Sequence, residues 1–162
     1  MNGGVFTYGL VALLAIALLT AAFTDLRRRQ IDNWLNAAIA MGAPLFWLAS
    51  GQSFTEIGYH LAVATVAFLV FAGLFALKAM GGGDVKLLTA LALWIEPLLF
   101  LHMLMVMAIA GGILTILFGA WHIARRQQGK VAIPYGIAIA GAGLWTLASQ
   151  YLPAVKAATL SG

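Results

Sequence analysis

The chain has 162 residues, of which 63% are apolar and only 9% charged, and its mean hydropathy is +0.98. Soluble domains carry about 25% charged residues, so this composition excludes a water-soluble enzyme, a disordered chain and, despite a net charge of +4, an autonomous nucleic-acid module. The chain contains no cysteine, which removes disulfides, thiolate metal ligation and a cysteine nucleophile from consideration.

A membrane-spanning helix needs roughly 20 predominantly apolar residues to cross about 30 Å of hydrocarbon. Read on that scale, the sequence predicts an all-α, polytopic membrane protein of six transmembrane helices. The first covers residues 5–24, the second 34–50, the third 57–77 and the last 131–152. Residues 85–121 are too long for one crossing and short for two. The break is placed at Glu96-Pro97, because proline suits the first turn of a new helix and disfavours helical geometry in the residue before it.

Charge placement supports that division. Arg27, Arg28, Arg29, Lys78, Lys86, Arg125, Arg126 and Lys130 fall in the first, third and fifth connections, while the second and fourth hold only Glu56 and Glu96. Under the positive-inside rule the basic side is cytoplasmic, which places both termini outside with Lys156 as the exception. The first stretch has no basic residue before it and three arginines after it, the reverse of a secretory signal, and is expected to stay as a span. No repeat, linker or low-complexity tail interrupts the pattern, so residues 1–162 read as a single transmembrane domain.

Ionisable groups beside membrane spans are costly and are candidates for function. Asp25, Asp32 and Asp84 all fall on the basic side and come from two different connections, so they can converge. Asp25 closes the first span in Phe23-Thr24-Asp25-Leu26-Arg27-Arg28-Arg29; its plainer reading is an interfacial charge neutralised by Arg28 and Arg29 if the helix continues. Asp32 precedes the second span in the manner of an N-cap. Asp84 follows three glycines in Gly81-Gly82-Gly83-Asp84-Val85-Lys86-Leu87. Such a run weakens a helix start, so it implies a bend or a close approach, the plainer alternative being a turn followed by an aspartate cap. Residues 84–96 rise only about 19 Å as helix. If Glu96 reaches the outer interface, Asp84 therefore lies below the inner membrane surface, facing protein or a water-filled cavity.

Two carboxylates at short separation share a proton, so one can activate water while the other protonates or polarises a peptide group. That chemistry needs neither metal nor organic cofactor, and none is expected. His60 and His102 lie within spans without ligand-like spacing, and no HExxH or nucleotide-binding pattern is present. Trp34, Trp47, Trp94, Trp121 and Tyr151 lie near span ends, as an aromatic belt predicts. Gly111-Gly112, Gly141 and Gly143 read as sites of close helix packing. The rival readings are a small ion-coupled transporter, with the acids as a relay and the glycines as a broken helix, and a non-enzymatic subunit of a secretion machine. The gathering of the acids on one side, without two related halves, favours the protease.

These residues resemble the prepilin peptidases, membrane aspartic proteases of the GxGD type. Gly81-Gly82-Gly83-Asp84 matches GxGD and continues as Val85-Lys86-Leu87, Asp25 resembles the family's other catalytic aspartate, and Pro134-Tyr135-Gly136 is similar to its Pro-Phe/Tyr-Gly element opening the final span. Where the family often has Ile-Pro-Asn, this chain has Ile31-Asp32-Asn33. The resemblance implies an aspartic endopeptidase of the bacterial inner membrane with Asp25 and Asp84 as the catalytic pair. Gly81, Gly82, Gly83, Lys86, Pro134, Tyr135 and Gly136 then bind substrate or shape loops. The implied substrates are prepilins and pseudopilins, whose short basic leader is cut at the cytoplasmic face; the other partner is membrane lipid, with no nucleic acid. Larger relatives carry a cysteine-bearing insertion and also N-methylate the pilin. This chain has no cysteine and no such insertion, and so resembles the short, peptidase-only form associated with tight-adherence pili, which implies no methyltransferase activity.

Overall fold

The computed structural model describes residues 2–124 and 135–160. Among the described residues the structure is all helix: α1 (Asn2–Arg28), α2 (Asn33–Ser50), α3 (Phe54–Ala76), α4 (Gly82–Ala92), α5 (Pro97–Ala124) and α6 (Tyr135–Leu160). Three stretches are long and apolar enough to cross a membrane by themselves, Gly4–Arg28, Phe54–Ala76 and Pro97–Trp121.

Local chemistry sets the helix ends. Gly51 takes the left-handed conformation that glycine tolerates, with φ +69°, and with Gln52 returns backbone N–H groups to the carbonyls of Leu48 and Trp47, closing α2. Ser53 and Glu56 then form a reciprocal capping box at the start of α3, the Ser53 N–H donating to Glu56 Oε2 at 2.6 Å. Pro97 is the first residue of α5, so the break expected at Glu96-Pro97 is the observed one. At the other end, α6 runs on through Pro153 to Leu160, past the expected end at residue 152. A single proline removes one helical hydrogen bond and does not always stop a helix in an apolar setting. The expected start of this span at residue 131, with Pro134 and the basic residues 125, 126 and 130, lies outside the described residues.

The short helix α4 is the hub. It packs against α2, α3, α5 and α6, while α1 packs on α2 and α6. Leu87, Leu88 and Leu91 are fully buried, so an eleven-residue helix, spanning about 16 Å at 1.5 Å per residue, is wrapped by longer neighbours. Those neighbours turn apolar side chains such as Leu13, Leu69, Ile109 and Ile116 outward, as lipid contact requires.

The tryptophans correct the aromatic-belt reading in part. Trp34 and Trp121 are exposed, but Trp47 and Trp94 are buried. The Trp94 indole N–H donates to the Ile39 carbonyl at 2.7 Å and that of Trp47 to the Leu93 carbonyl at 2.8 Å. They clamp α2 to the C-terminal end of α4, and each buried N–H has a partner, as burial demands. Trp94 lies so close to α2 that a Cβ added at Gly42 would stand 2.7 Å from its ring. Gly42→Ala should therefore destabilise the bundle by about 1–3 kcal/mol through overpacking, read as a lower unfolding midpoint in detergent. Gly58→Ala, where a Cβ meets nothing within 4 Å, should leave the midpoint unchanged or raised.

Candidate active site

At the end of the bundle where α1 and α3 finish and α2 and α4 begin, a cavity of about 680 Å³ opens. Asp25, Asp32 and Asp84 all line it, together with Arg29, Lys78, the three glycines and Tyr135. The sequence-based expectation that acids from two connections converge is met.

Asp25 sits in the last turn of α1 and is buried. The helix stops at Arg28: Arg29 takes a left-handed conformation, with φ +55°, and its N–H bonds to the Asp25 carbonyl at 2.9 Å. Arg28 therefore stays on the helical face of Asp25, whereas Arg29 turns off the helix. Arg29 still attracts Asp25 electrostatically, and its guanidinium lies 5.8 Å from the centre of the Phe118 ring on α5. What holds the carboxylate is the first turn of α6. The backbone N–H of Gly136 donates to Asp25 Oδ2 at 2.8 Å, and a Cβ on residue 136 would fall within 2.7 Å of that oxygen. Only glycine allows the backbone this close.

The start of α4 carries Asp84. Gly81 is the N-cap in extended conformation, and the Asp84 carboxylate folds back over it, so that a Cβ on Gly81 would stand 3.0 Å from Asp84 Oδ2. The glycines answer to different neighbours. A Cβ on Gly83 would lie 3.2 Å from Cβ of Ile31 and 3.4 Å from its backbone N and O, and one on Gly82 would press on the Phe75 ring. The Gly83 carbonyl accepts from Asn36 Nδ2 at 3.2 Å, and Lys86 Nζ donates to Asn33 Oδ1 at 2.7 Å. The front of α4 is thus docked onto the α1–α2 connection and the first turns of α2. Asp84 is consequently held near enough to Asp25 for the two charges to repel.

Asp32 occupies the N-cap position of α2, and its carbonyl accepts from Leu35 and Asn36, but its side chain makes no capping bond. It borders the cavity instead. Tyr135 leans against α5, where a Cβ on Gly111 would meet its ring at 3.2 Å, and its hydroxyl lies 3.2 Å from that of Thr115. Lys86 lies outside the cavity lining and acts on loop shape through Asn33. Among the described residues no group of three His, Asp or Glu side chains is arranged to hold a metal ion.

Of the residues that seat the site, sequence reasoning named Ile31 and Asn33 only as the flanks of Asp32 and passed over Asn36 and Thr115. Asn36 alone carried a signal: an amide inside an apolar span, buried here with Oδ1 unpartnered among the described residues.

A sequence profile of the type IV leader peptidase family matches residues 12–116. The chain belongs to the type IV leader peptidase family. The match includes Asp25 and Gly81 through Asp84 and ends before Tyr135 and Gly136, so the contact of Gly136 with Asp25 is an independent structural finding. No curated protein and no solved structure matches the chain significantly. Family and helix composition together make it a multi-pass membrane protein of the prepilin peptidase kind.

A Cβ at 136 would push the Asp25 carboxylate aside, and displacing a reacting group by about 1 Å can cost 10²-fold in rate, so with Asp25 as such a group Gly136→Ala should lower leader cleavage by about that factor. Gly141→Ala, where a Cβ meets nothing within 4 Å, should retain cleavage at the wild-type rate in the same assay.

Proposed function

We propose that this peptidase is an aspartic endopeptidase in which Asp25 and Asp84 divide acid and base work on one water. The observation that carries the reading is the convergence of two carboxylates from separate helices on one cavity, beside the glycine run of α4. Gly136 donates to Oδ2 of Asp25 and so orients the carboxylate, leaving its other lone pairs to hold water. The dyad works with one proton. The ionised carboxylate takes a proton from water as its oxygen attacks the peptide carbonyl, the protonated one gives its proton toward the carbonyl oxygen, and the tetrahedral intermediate collapses as the amine leaves protonated.

The substrates are prepilins and pseudopilins, cut after their short basic leader, as the family resemblance implies. The three acids lining the cavity stand beside Arg29 and Lys78, so a basic leader is drawn to the carboxylates and repelled by these cations. The bundle spans the inner membrane six times as one domain, with both termini outside and the cavity toward the cytoplasm, the orientation that the basic connections favour. Arg27 and Arg28 serve orientation and contact with anionic lipid. The chain acts as a peptidase without N-methylation.

Losing one acid/base partner removes on the order of 10² to 10⁴ in rate. With purified chain in lipid and a prepilin substrate, Asp25→Asn and Asp84→Asn should each nearly abolish leader release measured by mass, at unchanged membrane levels, whereas Asp32→Ala should retain it. Proton flux without proteolysis would instead support a transporter. The pH profile of kcat/KM should be bell-shaped, with two limbs belonging to the pair and not to either aspartate alone. A flat profile over the range in which carboxylates titrate would contradict a shared proton.

A further inference from the structure

A second polar cavity lies at the end of the bundle opposite the carboxylate pair, where α2 and α4 finish and α3 and α5 begin. It encloses about 420 Å³. Glu56 of α3 and Glu96, just before α5, border it, and among the described residues no lysine or arginine does. Its wall includes the buried rings of Phe46 and Trp94.

The unpartnered buried groups here are acceptors. Gln52 Oε1 is buried and takes no hydrogen bond among the described residues. His60, which lines the cavity, is 4% exposed, and its Nδ1–H donates to the Ala92 carbonyl at 3.3 Å. In the neutral ring that leaves Nε2 as an acceptor. The Glu56 carboxylate takes two bonds from Ser53 on Oε2 and keeps the lone pairs of Oε1. A buried acceptor without a donor is costly, and two carboxylates without a base leave negative charge unbalanced. A primary ammonium group answers both, since it carries three donors, no acceptor and a positive charge, and aromatic faces attract it. Glu56, His60 and Glu96 do not gather closely enough to hold a metal ion in common.

The cavity continues into apolar surroundings. Tyr151 borders both it and a groove of about 330 Å³ between α1 and α6. Apart from the two tyrosines the groove is lined by aliphatic side chains, and on α1 it runs from Tyr8 past Val11 and Ala12 to Ala15, about 10 Å along the helix. Its direction is from the bundle end toward the bundle middle, so a charged head in the cavity and an apolar tail in the groove belong to one amphiphile.

We propose that this end of the bundle binds a membrane lipid with a primary ammonium headgroup, the ammonium among Glu56, Glu96, Gln52 and His60 and an acyl chain in the α1–α6 groove. Gln150 and Tyr59, both exposed at the cavity, supply donors for the phosphate of such a lipid. The site is separate from Asp25 and Asp84 and does not rest on the peptidase reading.

The test titrates the full chain, purified in a neutral detergent, with phosphatidylethanolamine, with phosphatidylcholine of the same chains and with free ethanolamine, and counts bound molecules by native mass spectrometry. Phosphatidylethanolamine should be retained at a concentration about tenfold below that for phosphatidylcholine, whose trimethylammonium has no N–H to give the acceptors. Free ethanolamine, lacking the chain, should bind far more weakly. Glu56→Gln with Glu96→Gln should abolish the preference between the lipids; glutamine at 56 still serves the capping box, so the pair removes charge and keeps the start of α3. Ala12→Phe, at an exposed position of the groove, should weaken both lipids alike. Equal retention of the two lipids by wild type, or a preference that survives the double variant, would overturn the headgroup site. Ethanolamine bound as tightly as the lipid, or lipid binding unmoved by Ala12→Phe, would overturn the lipid as occupant.

Discussion

The site depends on one contact between backbones, the seating of Gly83 against Ile31. Asp25 and Asp84 are far apart in sequence and belong to helices that make little direct contact, since α4 packs on every other helix more than on α1. The α1–α2 connection closes that gap. It leaves α1 through the left-handed Arg29, offers Ile31 to the glycine run of α4, and enters α2, from which Asn33 and Asn36 hold Lys86 and Gly83. A side chain at 83 would need room that the Ile31 backbone occupies. The same glycines that make a poor helix start make the approach of the two carboxylates feasible.

Burying carboxylates in an apolar bundle is costly unless charge and hydrogen bonds compensate. Compensation here comes from several directions. Gly136 donates to Asp25, and Arg29 lies within electrostatic reach of it. The first turn of α4 places its unpaired N–H groups and the positive end of its dipole at Asp84, and Lys78 borders the same cavity. None of these groups forms an ion pair with Asp84 that would lock it. Two carboxylates so placed border an open cavity, which a locking salt bridge would close to water and protons.

The parts of this arrangement that are local in sequence were legible there. Proline at 97, three glycines before Asp84 and an aspartate at the end of an apolar run each constrain their own neighbourhood, and α5, α4 and α1 follow them. What stayed hidden depends on partners distant in sequence. Trp47 and Trp94 sit near span ends, where belt and core look alike to a hydropathy pattern; the clamp they form needs α2 and α4 side by side. Gly136 reads as part of a short motif, and its reason, a carboxylate against its Cα, belongs to α1. Asp32 occupies the N-cap position that the sequence indicated, yet its side chain borders the cavity instead of bonding the helix end, because position alone does not fix where a carboxylate turns.

The direct test is to crowd the seat and ask whether the enzyme works. A Cβ on residue 83 would stand 3.2 Å from that of Ile31 and 3.4 Å from its backbone N and O, so Gly83→Ala forces α4 and the α1–α2 connection apart. The account predicts that Gly83→Ala, folded in lipid, releases a prepilin leader about 10²-fold more slowly than wild type, and that Gly73→Ala, where a Cβ meets nothing within 4 Å, keeps the wild-type rate. Wild-type cleavage by the folded Gly83→Ala chain would contradict it, because the carboxylates would then meet without this seat.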